Sequence, residues 1–147
     1  MTVVVAFDDS EFAAVVADHA VHEAERRGAE LHALHVFQLP WSLYVSYGAP
    51  PIDAEKIRRY QLDRVWSIVD PVIAKSTQTV RKVELEGYPP DGVLAYAADV
   101  DAEVIVVGSR GLGDFRSMML GSTSHKIIQG ATCDVLVVAP HTKSDAA

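Results

Sequence analysis

The sequence predicts a single α/β domain built on a five-stranded parallel sheet, with strand order 3-2-1-4-5 and helices on both faces. Three observations lead to this class. Short apolar runs rich in β-branched residues alternate five times along the chain with segments of helical character. Parallel strands need crossover connections, which helices supply. The length of 147 residues fits one domain, expected over residues 1–141, with residues 142–147 as a loose tail.

In the first half of the chain, two strands are each followed by a helix. The runs Val3–Phe7 and Leu31–Phe37 are short and mostly apolar, as buried strands are. After the first run, apolar residues recur at helical spacing over residues 11–27, and Gly28 stands where a helix C-cap belongs. After the second run, prolines and aromatic residues without a period predict a long loop over residues 38–52. Asp53 then caps a helix that is expected to run to about residue 75.

The second half of the chain predicts three further strands and two helices. Apolar and polar residues alternate over Val80–Leu85, as in a strand, and residues 87–90 predict a turn. A short alanine-rich helix is expected over Asp91–Ala98. The fourth strand, Glu103–Val107, is followed by a glycine-rich loop and by a helix over about residues 122–129. The fifth strand, Val135–Ala139, is stopped by proline.

The composition argues against several classes of protein. A formal net charge of −7 argues against a nucleic-acid-binding surface, which needs clustered Lys and Arg. The lone cysteine, Cys133, excludes an internal disulfide and is expected to pack as a small apolar side chain. The N-terminal residues lack the pattern of a signal peptide, and no apolar run approaches the length of about 20 residues that a membrane span needs. We therefore expect a cytoplasmic protein.

The loop after the fourth strand has the features of a phosphate-binding site. Its spacing is Gly108-x2-Gly111-x9-Gly121-Ser122, and glycines let backbone amides approach an anion closely. A helix that begins at Gly121 and Ser122 adds amide donors and a favourable dipole, and Ser122 is expected to be its N-cap. The hydroxyls of Thr123 and Ser124 add further donors. From spacing alone, a plain turn followed by a capped helix explains the glycines equally well.

The charge of this loop favours an anion. Residues 108–126 carry three basic side chains, Arg110, Arg116 and Lys126, against one acidic side chain, Asp114. This local excess of positive charge stands out in an acidic chain.

Three segments in order resemble the universal stress protein family. VVVAFDDS is similar to the opening strand of that family, LHALHV to its second strand and GSRGLGDFRSMMLGSTSHKIIQGATCDVLVVAP to its C-terminal third. The resemblance covers nearly the whole chain. It implies a Rossmann-like or flavodoxin-like sheet of the adenine nucleotide alpha hydrolase-like type, commonly a homodimer, with ATP bound in the cleft of members that keep the glycine motif.

The resemblance also implies roles for individual residues. The glycine motif with Ser122–Ser124 would hold the phosphates and ribose, Asp8 would face the ribose or phosphates, and the backbone around Val36 would meet the adenine. Magnesium would enter only with the nucleotide phosphates, near Asp8, and no catalytic residue is implied. The nucleotide-binding residues expected on this basis are Ala6, Phe7, Asp8, Val36, Val107, Gly108, Ser109, Arg110, Gly111, Gly121, Ser122, Thr123 and Ser124.

One departure from the family bears on the ligand. The family often has glycine after the first aspartate, whereas this chain has Asp9. A second carboxylate repels a triphosphate unless a divalent cation intervenes or the side chain turns away. ATP and cyclic AMP therefore both stay open as ligands of a stress-response regulatory protein. A weak magnesium-dependent ATP hydrolase and a structural dimer with an empty cleft are the alternatives.

Other site types fit the sequence less well. A phosphorylation receiver domain would need an aspartate ending its third strand and a lysine ending its fifth, and neither is present. The segment AFDDS lacks the glycine-serine loop of adenylating enzymes, and no G-x4-GK-S/T loop occurs. Among the histidines, His19 and His22 are three apart on a predicted helix, and two histidines alone make a poor metal site, while His32 and His35 should point to opposite faces of a strand.

Two segments are candidates for contacts with partners. The aromatic residues Trp41, Tyr44 and Tyr47 of the long loop would cover the adenine, meet a partner or pack on their own domain. The fifth strand, Val135–Ala139, would lie at an edge of the sheet, and pairing with a second copy would cover it. The sequence therefore predicts a homodimer through this strand.

Overall fold

The computed structural model describes residues 1–39, 53–109 and 121–140. The expectations for residues 40–52, 110–120 and 141–147 lie outside these ranges. The described strands are β1 (Thr2–Phe7), β2 (Glu30–Phe37), β3 (Val80–Glu86), β4 (Val104–Gly108) and β5 (Asp134–Val138). The described helices are α1 (Ala13–Arg27), α2 (Ala54–Ile73), α3 (Pro89–Asp99) and α4 (Ser122–Gly130).

The five strands form one parallel sheet in the order β3-β2-β1-β4-β5, which confirms the predicted fold class. The central strand β1 pairs with β2 on one side and β4 on the other, so that Val4 lies between His32 and Ile105. Val3, Val4 and Val5 are completely buried. This burial explains why β1 is an unbroken apolar run.

The sheet separates two apolar cores because successive side chains of a strand point to opposite faces. Val3 and Val5 pack with α1 and α2 on one face. Val4 packs with α3 and α4 on the other face. Cys133 packs against this second core, as predicted, and burial raises the pKa of its thiol. The winding of the chain therefore reverses between β1 and β4, where one pair of helices gives way to the other.

The structure confirms the predicted caps at two helix ends. Gly28 has φ 62° and ψ 37°, the left-handed conformation that ends α1, and its amide donates to carbonyl oxygens of Ala24 and Glu25. At the start of α2, the carboxylate of Asp53 accepts a hydrogen bond from the amide of Lys56.

Two helix starts differ from prediction. α3 begins at Pro89, within the predicted turn, because proline has no amide hydrogen to leave unpaired and its fixed φ suits a first helical turn. α1 begins at Ala13 rather than at residue 11. A tight turn precedes it, in which the amides of Ala13 and Ala14 donate to the carbonyl oxygens of Ser10 and Glu11.

The described helices also bear on membrane association. None of those in residues 1–39, 53–109 and 121–140 combines the length and the apolar character needed to cross a bilayer.

The left-handed end of α1 gives a test of the fold. We expect Gly28→Ala to lower the free energy of unfolding by about 1 kcal/mol, because a Cβ atom disfavours positive φ. Gly28→Asn is the matched control and should lose less, since asparagine tolerates this conformation better than alanine. Chemical denaturation monitored by circular dichroism measures both. Equal losses in the two variants would show that φ is not the cause.

Candidate functional site

A cleft of about 550 Å³ opens at the carboxyl ends of β1, β2 and β4, where the winding reverses. This is the position at which open α/β sheets bind ligands. The predicted residues that line it are Ala6, Phe7, Asp8, Val36, Val107, Gly108, Gly121, Ser122, Thr123 and Ser124. Ser109 lies beside the cleft, whereas the predicted Arg110 and Gly111 fall outside the described residues.

Gly108 ends β4 in a position too crowded for a side chain. A Cβ atom there would lie 3.1 Å from carbon atoms of Phe12 and of Val16. Contacts this short are rare in proteins, so the first glycine of the motif allows α1 to pack closely on the end of β4. Its presence therefore has a structural reason that is independent of any ligand.

Backbone hydrogen bonds join β5, the end of β4 and the start of α4. The amide of Ser109 donates to the carbonyl oxygen of Val138 at 2.8 Å, and the amide of Gly121 donates to the carbonyl oxygen of Ser109 at 2.7 Å. Gly121 is the N-cap of α4, with φ −64° and ψ 158°. The prediction that Ser122 caps this helix is wrong, because the chain already turns into helix at Ser122.

The first turn of α4 offers amide donors to the cleft. An α-helix leaves the amides of its first turn without carbonyl partners of its own, here those of Ser122, Thr123 and Ser124. The cap residue, a glycine, supplies no side chain to satisfy them. Ser122 and Thr123 are exposed, whereas Ser124 is buried and its hydroxyl donates to the carbonyl oxygen of Gly121 at 3.0 Å. The backbone of this turn is therefore suited to an anion, but the hydroxyl of Ser124 is engaged within the helix.

The two aspartates after β1 have different surroundings. Oδ1 of Asp8 accepts hydrogen bonds from the amide of Ser10 at 3.0 Å and from its hydroxyl at 2.6 Å, which makes Asp8 a turn-forming residue. Oδ1 of Asp9 is buried and has no hydrogen-bond partner in the described structure. The N-cap of α1 is Phe12, so neither aspartate caps this helix.

A buried histidine, which the sequence did not indicate as a site residue, lies in the wall beside these aspartates. Nδ1 of His35 lies 2.8 Å from the carbonyl oxygen of Phe7, to which it donates, and Nε2 accepts from the side-chain amide of Gln61 at 3.2 Å. Burial lowers the pKa of His35, although the charges of Asp8 and Asp9 oppose that shift. The ring is therefore neutral at physiological pH.

His32 faces the opposite side of the sheet from His35, as predicted. Its Nδ1 lies 2.8 Å from the hydroxyl of Tyr96 on α3, and its Nε2 lies 3.1 Å from Oε2 of Glu30. The two histidines of β2 therefore cannot share a ligand.

The rest of the cleft wall is mostly apolar and comes from helices as well as strands. Val36 and Val107 were predicted to contribute, whereas Pro89 and Val93 of α3 were not. The remaining wall residues that sequence analysis missed are Phe12, Ala13, Val16, His35, Gln38 and Gln61, with Asp9 considered only for its charge. Helical periodicity indicates that α1 and α3 each have an apolar face. It does not show which residues of that face reach beyond the sheet into the cleft.

Lys126, one of the basic residues expected to favour an anion, is directed to Tyr88. Its ammonium group donates to the tyrosine hydroxyl and lies 4.7 Å from the ring centroid. The other two predicted basic residues, Arg110 and Arg116, fall outside the described residues.

Comparison with known proteins shows a similarity over nearly the whole chain. A family model described as the universal stress protein family matches residues 1–139. The universal stress protein YxiE of Bacillus subtilis is 33% identical over 142 residues, which cover 91% of this chain and 95% of YxiE. The similarity is therefore not confined to the glycine motif.

Two solved structures of similar proteins contain adenine nucleotides. The universal stress protein from Archaeoglobus fulgidus, in complex with dAMP, is 28% identical with a TM-score of 0.63, over 93% of this chain and 96% of that one. A universal stress protein in complex with cAMP is 24% identical with a TM-score of 0.62, over 95% of this chain and 96% of that one. The second likeness, at its lower identity, shows the fold alone.

The buried histidine makes stability depend on pH. His35 has a folded-state pKa below the usual value of 6.5, so the unfolded chain binds more protons as the pH falls through that value. We expect the free energy of unfolding to be highest above about pH 7 and to decrease on acidification below about pH 6.5. His35→Gln, which keeps a polar side chain that does not titrate, should have a flatter profile. Denaturant titrations from about pH 7.5 to 5.5 measure the difference, and parallel profiles would contradict the prediction.

Proposed function

This chain belongs to the universal stress protein family, and we propose that it is a regulatory protein that binds an adenine nucleotide in the cleft. One observation carries the proposal. The amides at the start of α4 and an apolar wall formed by β2, β4 and α3 line the same cavity. Its volume of about 550 Å³ is within the range of small-molecule sites.

The phosphate end of the ligand would bind at α4. The amides of Ser122, Thr123 and Ser124 are donors that the helix itself does not use, and the helix dipole adds positive potential at the same point. Gly121 precedes them without a side chain that would obstruct an oxygen atom.

The base would bind at the apolar end, against Val36, Val93 and Val107. Purine rings are flat and weakly hydrated on their faces, so branched aliphatic side chains suit them. Backbone groups at the end of β2 would form hydrogen bonds with the edge of the adenine. The dAMP complex of the protein from Archaeoglobus fulgidus supports an adenine nucleotide as the class of ligand.

The finer parts of the proposal concern the form of the nucleotide and the response. The family resemblance implies ATP, with magnesium entering on its phosphates near Asp8, and leaves cyclic AMP open as the alternative. Binding would change the surface that the protein presents to a partner in the cytoplasm and so signal a metabolic state. This is a binding function and involves no chemical step.

A substitution at Gly121 tests the site. We expect the wild-type protein to bind labelled adenine nucleotide saturably, and Gly121→Val to weaken binding at least about tenfold, because its methyl groups would occupy the phosphate position. The φ of −64° at Gly121 is open to valine, so the variant should fold.

Ala95→Val, which adds an apolar group at an exposed position of α3, is the control and should bind normally. Equilibrium dialysis measures all three proteins. Absence of saturable binding by the wild type would refute the proposed function, and normal affinity in a folded Gly121→Val protein would move the site elsewhere.

We also propose that two copies pair through β5. This strand lies at the edge of the sheet, and its apolar residues Val135 and Val137 are only half-buried. The carbonyl oxygen of Val138 accepts a hydrogen bond from Ser109, so this residue faces β4. Residues of odd position, Val135 and Val137, therefore present their amides and carbonyl oxygens to the free edge. An apolar edge whose backbone groups pair with no other described strand is well suited to a two-fold partner.

The orientation of β5 gives a selective test of this pairing. Val137→Pro removes an amide from the free edge and leaves the bonds between β4 and β5 intact. We expect a dimer for the wild type and a dissociation constant at least about tenfold higher for the variant, since a strand pair depends on its ladder of backbone bonds. Sedimentation equilibrium measures the dissociation constants, and a thermal melt checks that the variant is folded. A monomeric wild type would contradict the proposal.

A further inference from the structure

We propose that Asp9 makes the cleft selective for adenine ligands of low negative charge, such as a cyclic monophosphate, over the triphosphate. The proposal rests on the function proposed above and specifies the class of ligand for the same site.

The charges of the cleft wall are the first observation. Its described residues include two carboxylates, those of Asp8 and Asp9, and neither lysine nor arginine. The one histidine of the wall, His35, is neutral because it is buried. The described wall therefore carries negative charge, and the donors it offers to an anion are uncharged amides at the start of α4.

No basic side chain of the described residues neutralises these carboxylates. Basic residues of the described ranges form ion pairs with other acidic residues, and neither Asp8 nor Asp9 takes part in one. Arg64, on α2, comes close to the loop, but its Nε donates to the backbone carbonyl oxygen of Asp9 at 3.0 Å. Lys126, on α4, donates a hydrogen bond to the hydroxyl of Tyr88.

The side chains of Asp8 and Asp9 differ in their hydrogen bonds to the described residues. Asp8 holds the turn through two hydrogen bonds from Ser10. Oδ1 of Asp9 is buried and has no hydrogen-bond partner among residues 1–39, 53–109 and 121–140, and such an unsatisfied atom costs free energy of folding. A glycine would avoid that penalty because it has no polar side chain. Because Asp9 lines the cleft, its carboxylate is placed to act on a bound ligand.

The effect of this carboxylate scales with the charge of the ligand. ATP carries about four negative charges, AMP about two and cyclic AMP about one. At equal distance, the repulsion by Asp9 grows in the same proportion, and the low dielectric of a cleft increases it. Removal of the Asp9 charge should therefore improve the binding of ATP most and that of cyclic AMP least.

Asp9→Asn tests this order directly. Dissociation constants for cyclic AMP, AMP and ATP are measured by isothermal titration calorimetry, with EDTA present to exclude metal bridges. We expect the wild type to bind cyclic AMP more tightly than ATP. In the variant, affinity should rise about twofold for cyclic AMP and about tenfold or more for ATP, with AMP between them. Asp99→Asn, which removes a charge at the exposed end of α3, is the control and should leave all three constants unchanged.

The outcomes separate this inference from the proposed function. Equal gains for the three ligands, no gain, or preference of the wild type for ATP would overturn the role of Asp9 while adenine-nucleotide binding stands. Binding of none of the three ligands by the wild type would overturn the proposed function, and this inference with it.

A measurement on the wild type covers the case of a variant that does not fold. Salt screens repulsion, so the ratio of the dissociation constant of ATP to that of cyclic AMP should decrease as the ionic strength is raised from about 0.02 to 0.2 M. An increase of that ratio would show net attraction of the triphosphate and overturn the proposal.

Discussion

The burial of β1 on both faces is the constraint on which the rest of the structure depends. Its two neighbours, β2 and β4, satisfy its backbone, and helices must cover its alternating valines above and below the sheet. Because the chain crosses from one pair of helices to the other beside this strand, the connections after β1 and β4 separate to opposite faces. The cleft is the space left between them, and it follows from the winding of the chain rather than from any one side chain.

The wall of the cleft has an apolar part and a polar part, which come from different elements of the fold. Side chains at the strand ends and on α3 form its apolar part, because they continue the second core beyond the sheet. Backbone amides at the start of α4 form its polar part. Between these parts, the loop after β1 adds two carboxylates, one engaged in its own turn and the other without a hydrogen-bond partner in the described structure.

Sequence reasoning was reliable wherever a local rule decides the structure. The apolar runs located all five strands, Gly28 and Asp53 located two helix ends, and the glycine motif led to the start of α4. It was less reliable where contacts between distant segments decide. Gln61 reaches the cleft through its bond to His35, and Phe12 reaches it through its packing on Gly108. The sequence pattern of polar and apolar residues does not distinguish Gln61 from its neighbours on α2, or Phe12 from the apolar residues of α1 that follow it. The lack of a partner for Asp9 is also a property of the assembled loop, which residue types alone do not reveal.

The hydrogen bond from Gly121 to Ser109 depends on the backbone at its two ends and not on side chains. It joins the two ends of an intervening stretch of chain through main-chain atoms alone, at 2.7 Å. Because both the donor and the acceptor are backbone atoms, substitution of the side chain of Ser109 leaves the bond available, whereas proline at position 121 would remove its donor. The attachment of α4 to the end of β4 is therefore more tolerant of a changed side chain than of a lost amide.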